Sequence, residues 1–435
     1  MDIYVVQPGD TIYSIADKYG VPANQIIQDN ELANPYDLVV GQTIVIVYPK
    51  QVYMVQEGDT LESIASSFGI TVMQLLMNNP FLSSQNTLDP GEQLVISYNT
   101  SGSIMTNGFV YPFINRDTLI KTLPNLTFLT IYNYRASRAG DLIAYYDDSE
   151  IIRIAKEYDV VPLMMTTTLS LQGEPNIELA YEILLNEEFQ DMQINRILEV
   201  LRSRGYYGVN MLFNYINETN HELYERFITK VASRVHEEGY LYYATFNLKI
   251  DTNSNNVSFR GVDYSLISRA ADGIIFMQFI WGTNNGPPMP VSNMINLRTY
   301  IKYAAATVPQ EKIILGSPII SYDWNLPYIP GRTVANSLTI DAAIDLARNT
   351  NSVIQFDEIS LTPYFYYSRI GFEEIGQHIV WSIDARSINA LFQIVADHNL
   401  VGTGIWNIMI YYAWVWLLLR SQFNVVKLLP ETHTV

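Results

Sequence analysis

The stretch Tyr206–Ile216 reads Tyr-Tyr-Gly-Val-Asn-Met-Leu-Phe-Asn-Tyr-Ile, a run of β-type residues that contains no acidic side chain. Successive side chains of a strand point to opposite faces, so Asn210, Leu212 and Asn214 share one face. General acid–base chemistry needs a group that can lose a proton near neutral pH, and neither an amide nor a leucine side chain has one. The stretch therefore predicts a strand whose site-facing positions carry no acid.

Similar apolar runs alternate with helical segments along most of the chain. They lie at Thr106–Ile114, Phe128–Tyr134, Val161–Thr167, Gly208–Tyr215, Leu241–Asn247, Gly273–Trp281, Lys312–Ile319 and Gly402–Met409. Near-continuous apolar strands separated by helices indicate a parallel sheet covered on both faces. We predict an α/β fold, a (β/α)8 TIM barrel over residues 104–435, with reactive groups at the C-terminal strand ends. The long gap before the last strand predicts a small α+β insertion at about residues 322–385.

The first hundred residues contain two copies of one pattern. Val6–Ile12, which reads Val-Gln-Pro-Gly-Asp-Thr-Ile, returns as Val55–Leu61 at an offset of 49 residues. In each copy either the Asp or the Thr can cap a helix whose apolar residues follow at helical spacing. Repetition at this period indicates tandem modules. We predict two small α+β modules, at residues 1–48 and 52–98.

Each copy resembles a LysM module: a strand, a Gly-Asp-Thr turn, an Ile-Ala helix and a closing strand after Gly. The resemblance implies binding of peptidoglycan, chitin or other N-acetylglucosamine oligomers in a groove between the turn and the loop after the second helix. The groove residues that it implies are Gly9, Asp10, Thr11, Ile12 and Asn30 in the first copy, and Gly58, Asp59, Thr60, Leu61 and Asn79 in the second. The alternative is that Gly-Asp-Thr serves only as a helix cap.

The stretch around Asn210 resembles the signature strand of glycoside hydrolase family 18, in which three Asp and one Glu recur. The whole chain resembles the spore cortex-lytic N-acetylglucosaminidases of bacilli, in which two LysM modules precede a family 18 barrel. In this chain the family's acidic and neighbouring positions hold Tyr207, Asn210, Leu212, Asn214, Phe279 and Ile280. The former barrel pocket would be lined by Gln278, Trp281 and Trp406, with Ile408 as the alternative to Trp406.

Because the acids are missing, we predict a protein that is not an enzyme. Its LysM modules would bind peptidoglycan, and its barrel would act as a scaffold, interaction domain or lectin in the spore envelope or cell wall, where spore coat or cortex proteins are possible partners. One alternative is an active N-acetylglucosaminidase with a substrate-assisted mechanism and a relocated acid, at Asp141, Glu218 or Glu222. Another is a regulator that competes with active relatives for the glycan.

The composition excludes several function classes. The 435 residues carry a formal charge of −18, which disfavours nucleic acid and anionic membranes as partners but is compatible with a neutral polysaccharide. The absence of cysteine and the scattered placement of five histidines predict no metal site, and we expect no cofactor. The N-terminus shows no secretion-signal pattern. The uncharged run Gly402–Leu419 is interpreted as a buried strand and helix rather than a membrane span.

Overall fold

The computed structural model describes residues 1–84, 87–169, 176–214, 216–247, 262–277, 283–370 and 375–429. Two small N-terminal modules are followed by a closed barrel of eight parallel strands with surrounding helices. The predicted fold class, a (β/α)8 barrel preceded by two α+β modules, is confirmed.

The two modules have the same element order. The first contains β1 (Asp2–Val5), α1 (Ile12–Tyr19), α2 (Ala23–Asn30) and β2 (Thr43–Ile46). The second contains β3 (Gln51–Met54), α3 (Leu61–Phe68), α4 (Val72–Asn78) and β4 (Gln93–Ser97). In each module the two strands pair antiparallel. The sequence repeat is therefore also a structural repeat.

The Asp and the Thr of the Gly-Asp-Thr turn make different hydrogen bonds. The Thr11 Oγ1 accepts a hydrogen bond from the Ser14 amide at 3.1 Å, and the Ser14 Oγ accepts one from the Thr11 amide at 3.0 Å, which forms a capping box at the start of α1. The Asp10 carboxylate instead accepts hydrogen bonds from the Tyr4 hydroxyl at 2.6 Å and the Gln7 amide at 2.7 Å. Thr is thus the cap, and Asp ties the turn to β1.

Within the described residues, the barrel sheet contains ten strands. They are β5 (Gly102–Val110), β6 (Phe128–Ala136), β7 (Leu142–Ala144), β8 (Val161–Thr167), β9 (Gly208–Phe213), β10 (Leu241–Asn247), β11 (Gly273–Met277), β12 (Ile313–Pro318), β18 (Gly402–Trp406) and β19 (Phe423–Val425). Eight of them close the ring in the order β5-β6-β8-β9-β10-β11-β12-β18, and β18 returns to β5. All neighbours in this ring pair parallel, as a (β/α)8 barrel requires.

Helices cover the outside of the ring. They are α5 (Arg116–Thr122), α6 (Ser149–Glu157), α7 (Ile177–Leu185), α8 (Glu187–Arg204), α9 (His221–Glu237), α10 (Ser265–Ala270), α11 (Met294–Ala304), α13 (Ala385–Asp397) and α14 (Ala413–Gln422). The apolar run that begins at Gly402 forms β18 and enters α14, and both are buried. In the described ranges, no helix combines the length and the apolar character needed to cross a bilayer.

The chain between β12 and α13 forms a separate subdomain. Its five antiparallel strands are β13 (Ser321–Leu326), β14 (Asn336–Leu338), β15 (Gln355–Asp357), β16 (Thr362–Ile370) and β17 (Ile375–Trp381), and its helix is α12 (Ile340–Asn349). We call this subdomain the insertion. It leaves the barrel at the C-terminal end of β12, and so it rises beside the end of the barrel where reactive groups are expected.

The first module is docked on the insertion. The Ile354 amide donates a hydrogen bond to the Val40 carbonyl at 2.9 Å, and the Arg348 Nε donates one to the Asp37 carbonyl at 2.9 Å. Val39 is buried in a small apolar cluster with Phe365 and other insertion residues. Backbone hydrogen bonds and a shared apolar cluster together fix the module against the insertion.

Candidate functional site

Strand β9 carries the residues that the sequence places at the site. Asn210 and Leu212 are both buried, and Leu212 belongs to the apolar cluster inside the barrel with Tyr132 and Trp406. The Asn210 Oδ1 accepts a hydrogen bond from the Thr245 hydroxyl at 2.7 Å. The interior at the middle of β9 is therefore lined by neutral side chains.

Asn214 lies just beyond the C-terminal end of β9. Its Oδ1 accepts a hydrogen bond from the Asn247 Nδ2 at 3.1 Å. Its own Nδ2 is buried and has no hydrogen-bond partner within the described residues. A buried donor without a partner is costly, and Asn214 also lines a small cavity with Thr167, Phe213 and Tyr224.

Sequence reasoning missed the partners of these amides. The Asn210 Nδ2 lies 3.4 Å from the Thr130 Oγ1, and the Thr130 hydroxyl donates to the Asn107 Oδ1 at 2.7 Å. With Thr245, these side chains form a neutral polar belt across the barrel interior. Each belt residue interrupts an otherwise apolar strand run, and that interruption is the signal that could have revealed them.

Trp406 is the central aromatic residue of the barrel interior. Its ring lies 5.4 Å from that of Phe109, 5.8 Å from that of Tyr132 and 5.9 Å from that of Tyr111, between ring centroids. Ile408, the alternative occupant of this place, packs in the main hydrophobic core outside the barrel interior. Trp406 is thus the residue of the two that faces the site.

An aromatic track leads from Trp406 to the surface. Tyr111 stacks on Phe113 with a centroid distance of 5.3 Å, and Phe113 meets the Tyr146 ring edge-on at 5.1 Å. Phe113 is 55% exposed and Tyr146 is 44% exposed. Burial raises the pKa of Tyr111 to about 12, so its hydroxyl stays protonated at neutral pH. The track offers flat apolar faces on which a sugar ring can stack.

Several predicted site residues lie elsewhere. Tyr207 precedes β9 at the opposite end of the barrel, where it is 39% exposed and the Lys156 Nζ lies 5.2 Å from its ring centroid. The structure does not bring it to the site. Four further residues lie outside the described part of the chain: Gln278, Phe279, Ile280 and Trp281.

The three candidate relocated acids differ in surroundings. Asp141 forms an ion pair with Arg196 of α8 at 3.2 Å. Glu222 lines an exposed groove between α9 and α10 with Arg226, on the outside of the barrel. Glu218 is exposed in the turn that joins β9 to α9, four residues after Asn214. Of the three, Glu218 is the carboxylate on the loop that continues directly from the end of β9.

The residues predicted for the LysM grooves have roles within their own modules. Asn30 is buried, and its side chain bonds the Ile26 carbonyl and both the amide and carbonyl groups of Val45, at 2.8–2.9 Å. Asn79 makes the equivalent bonds in the second module. Ile12 is buried in the core of its module. These contacts leave mainly backbone groups for a glycan, and glycan binding by the predicted residues stays a prediction.

The predicted residues of the two Gly-Asp-Thr turns also have roles within their own modules. Gly9 and Gly58 adopt φ values of +88° and +87°, which favour glycine. Thr60 caps α3 as Thr11 caps α1, and Asp59 accepts the Tyr53 hydroxyl at 2.8 Å. Leu61 is partly buried against the core. In the part of the chain that the structure describes, no group of three or more His, Asp or Glu side chains is placed to hold a metal ion.

Comparison with known proteins identifies both parts of the chain. The LysM domain model matches residues 4–47 and 53–97, and the model of glycosyl hydrolases family 18 matches residues 141–409. The chain belongs to glycosyl hydrolases family 18. The family 18 match covers β7 to β18 and therefore includes the strand with Asn210, Leu212 and Asn214.

Several relatives match this family 18 chain over nearly its full length. It is 36% identical to the cortical fragment-lytic enzyme of Bacillus subtilis (strain 168) and 32% identical to that of Bacillus anthracis, over 98% of this chain and 99% of each relative. The crystal structure of the spore cortex-lytic enzyme SleL of Bacillus megaterium QM B1551 superposes with a TM-score of 0.78 at 30% identity, and covers 98% of this chain and 99% of that one.

The prediction that the chain is not an enzyme is wrong. Relatives that are 32–36% identical over nearly the whole chain are named as lytic enzymes, and this similarity points to an enzyme. The prediction rested on the neutral residues at the compared positions of two strands, and it took the carboxyl groups of Asp141, Glu218 and Glu222 only as an alternative. A carboxyl group on a loop at the same strand end can also reach a substrate, and a strand pattern does not report it.

Proposed function

We propose that this family 18 chain is an N-acetylglucosaminidase that hydrolyses N-acetylglucosamine-containing glycan of the spore cortex. The observation that carries the proposal is its similarity, over 98% of the chain, to cortical fragment-lytic enzymes. The LysM modules would bind the same class of glycan. The relatives' names also support the spore envelope as its location, where coat or cortex proteins are possible partners.

The proposed reaction is substrate-assisted, as in other family 18 enzymes. The acetamido oxygen of the substrate attacks the anomeric carbon while the glycosidic C–O bond breaks, and the leaving oxygen takes a proton from a carboxyl group. Water then adds to the anomeric carbon, the bond to the acetamido oxygen breaks, and the water proton returns to the carboxylate. Two displacements at one carbon retain the anomeric configuration.

The structure supports a division of roles among the residues of the barrel mouth. Glu218 would act as the acid and then the base, because its loop continues from β9 and neither Arg196 nor the outer groove engages it. The Asn214 Nδ2 would donate a hydrogen bond to a sugar hydroxyl. Trp406 and Leu212 would exclude water beneath the sugar, which strengthens polar interactions above them.

The test follows cleavage and stereochemistry together. The purified protein is incubated with cortex muropeptides, the fragments are identified by mass spectrometry, and the first-formed anomer is read by NMR. We expect fragments with an N-acetylglucosamine end in the β configuration. Glu218→Gln should lower turnover by about 100-fold or more. Asp141→Asn is the matched control and should keep activity.

Two results would count against the proposal. A lack of fragments beside an active relative would remove the glycosidase function. Full activity of Glu218→Gln would leave the function intact but remove Glu218 from it, and Glu222→Gln would then be the next variant to assay.

A further inference from the structure

A cleft lies between the first LysM module and the insertion. It encloses about 860 Å³, including its open mouth. One wall is the end of α2 and the loop that follows it, including Leu32, Ala33 and Asn34. The other wall is formed by α12, β16 and the first turn of α14, including Ile344 and Trp414. Apolar walls that carry a few polar groups are typical of ligand sites.

Most charged groups of the cleft are already paired. Arg348 forms an ion pair with Asp345, and Asp384 accepts two hydrogen bonds from Arg386 at 2.9 and 2.6 Å. Glu31 is paired with a lysine outside the cleft. These pairs leave little net charge on the lining to hold an ion.

Asp341 differs from the other carboxylates of the cleft. It lies in the first turn of α12, and it has no hydrogen-bond or ion-pair partner within the described residues. Partial burial, with the charges of Asp345 and Glu31, raises the pKa of Asp341. A carboxylate in such surroundings is stabilised by neutral hydrogen-bond donors such as hydroxyl or amide groups.

One wall of the cleft lies near the C-terminal end of a barrel strand. The Ser382 hydroxyl in its wall lies 2.6 Å from the Ser321 hydroxyl, and Ser321 begins β13 only three residues after β12 ends. Trp414 lies at the start of α14, which follows β18 and so begins at the C-terminal end of the barrel strands. Two parts of the cleft wall thus lie at the end of the barrel where reactive groups are expected.

We propose that this cleft is a second glycan site, shared by the first LysM module and the insertion, for an N-acetylglucosamine-containing saccharide. Sugar hydroxyl or amide N–H groups donate to Asp341 and Asn34 supplies further polar contacts, while the apolar face of the ring lies against Ile344 and Trp414. The inference rests on the proposed function for its class of ligand. It adds that the catalytic domain itself completes a binding site with the module.

The test uses the intact chain and the tetramer of N-acetylglucosamine. Hydrogen–deuterium exchange with mass spectrometry should slow in residues 30–34 and 340–348 when the tetramer is added. Ala33→Trp, at an exposed loop position that lines the cleft, should abolish this local slowing. Asp341→Asn should weaken the affinity read from these peptides about tenfold, because a hydrogen bond to a charged group is lost.

The control is Asp17→Asn, which removes an exposed carboxylate of α1 in the same module but outside the lining, and it should leave the slowing unchanged. Unaltered exchange in both segments, or wild-type binding by Ala33→Trp, would overturn the inference. Slowing by free lysine but not by the tetramer would also overturn it and would indicate a site for cations. This experiment measures binding at the cleft, so the inference can fail while cleavage of muropeptides persists. Equally, cleavage can be absent while binding at the cleft is observed.

Discussion

Asn214 occupies the position at the end of β9 where this chain has an amide instead of an acid. It lies at the end of β9, it is held through its Oδ1 by Asn247, and its Nδ2 is buried without a partner among the described residues. An amide at this point can bind and orient a sugar, but it cannot supply a proton. In the proposed reaction the proton comes instead from Glu218 on the neighbouring loop, where position is less well fixed than on a strand.

Asn214→Glu should raise turnover on cortex muropeptides. The substitution places a carboxyl group on the strand end itself, where the Asn247 Nδ2 can hold one of its oxygens. We expect an increase in kcat of at least about tenfold, because a positioned acid contributes two or more orders of magnitude. The release of reducing ends measures it. Asn214→Gln has the same length without the proton, and equal rates for the two variants would contradict the expectation.

Lys427 is a second residue with an unusual environment. Its ammonium donates hydrogen bonds to the carbonyl oxygens of Leu123, Leu126 and Tyr158 at 3.0, 2.7 and 3.2 Å. Burial lowers the pKa of Lys427 to about 7, and the charge of Asp159 opposes this shift only in part. The C-terminal segment is thereby tied to the N-terminal end of the barrel.

The lowered pKa of Lys427 predicts how stability changes with pH. An unfolded lysine has a pKa of about 10.4, so between about pH 7 and pH 10 the unfolded chain binds a proton that the folded chain has lost. The free energy of unfolding should therefore rise with pH in this window, by at most about 1.4 kcal/mol per pH unit, and the effect should vanish below pH 7. Denaturant titrations at pH 7, 8 and 9 measure it. In Lys427→Met this part of the slope should be absent, and an unchanged slope would refute the assignment.

At the residue scale, the sequence predicted the shared face of Asn210, Leu212 and Asn214 but not their partners. Alternation along a strand is a local property, so it could be predicted from the sequence. The bonds to Thr245 and Asn247 depend on how β10 is aligned with β9, and this register is set by closure of the whole barrel. The sequence could not rank the three candidate acids for the same reason, because no local pattern tells where a loop carboxylate will lie.

At the scale of elements, the aromatic track joins strands β5, β6 and β18 at one end of the barrel. Its outer members are exposed, whereas Trp406 and Tyr132 are buried. An exposed aromatic residue contributes little to stability, so its removal should report on substrate binding rather than on folding.

Phe113→Ala should weaken substrate binding with little loss of stability. The variant removes the stacking surface between Tyr111 and Tyr146. We expect KM to rise about fivefold, because contacts between aromatic groups contribute about 1 kcal/mol, while the melting temperature should change little. Steady-state kinetics and thermal unfolding measure the two effects. Tyr207→Ala removes a partly exposed ring at the other end of the barrel and should leave KM unchanged; a similar rise in both variants would rule out a role for the track.

Whole elements were more predictable from the sequence than the contacts between them. The apolar runs predicted the eight barrel strands because buried parallel strands are apolar on both faces, a property that each run shows alone. The repeat predicted both modules because the Gly-Asp-Thr turn and its cap are local. The aromatic track was not predicted, because it brings Trp406 of β18 against residues near β5 and β6, which lie much earlier in the chain.

At the scale of the whole molecule, the two modules are alike in fold but differ in their contacts. Gly41 of the first module adopts a φ of +88°, and a Cβ atom added there would lie 1.9 Å from the Ile354 carbonyl oxygen of the insertion. Gly91, its equivalent in the second module, has a φ of +91° and nothing within 4 Å of the same point. The contact with the insertion therefore distinguishes two glycines that have the same conformation.

Gly41→Ala should detach the first module from the insertion, and Gly91→Ala should not. Both variants carry the strain of an alanine at positive φ, about 1 kcal/mol, but only the first adds a collision with backbone. We expect faster hydrogen exchange around Ile354 and a larger radius of gyration by X-ray scattering for Gly41→Ala. Equal behaviour of the two variants would show that the close approach at Gly41 does not matter for docking.

The docking itself could not be predicted from the sequence. The contacts between Val39, Val40 and the insertion join residues that are more than 300 positions apart in the chain. The repeat predicts the module and the apolar runs predict the barrel, but both patterns are local. Neither pattern specifies how the module packs on the insertion. The cleft between them is a product of this packing.

The anchoring of the first module also has a consequence for the products. A module held by Val40, Asp37 and the Val39 cluster stays at a constant separation from the barrel mouth. A glycan strand that is bound by this module and cleaved at the barrel mouth would then be cut at a fixed number of sugar units from the bound site. We expect the fragments released from long strands to cluster around one length, and a broad distribution of lengths in the digest would show that no such measure operates.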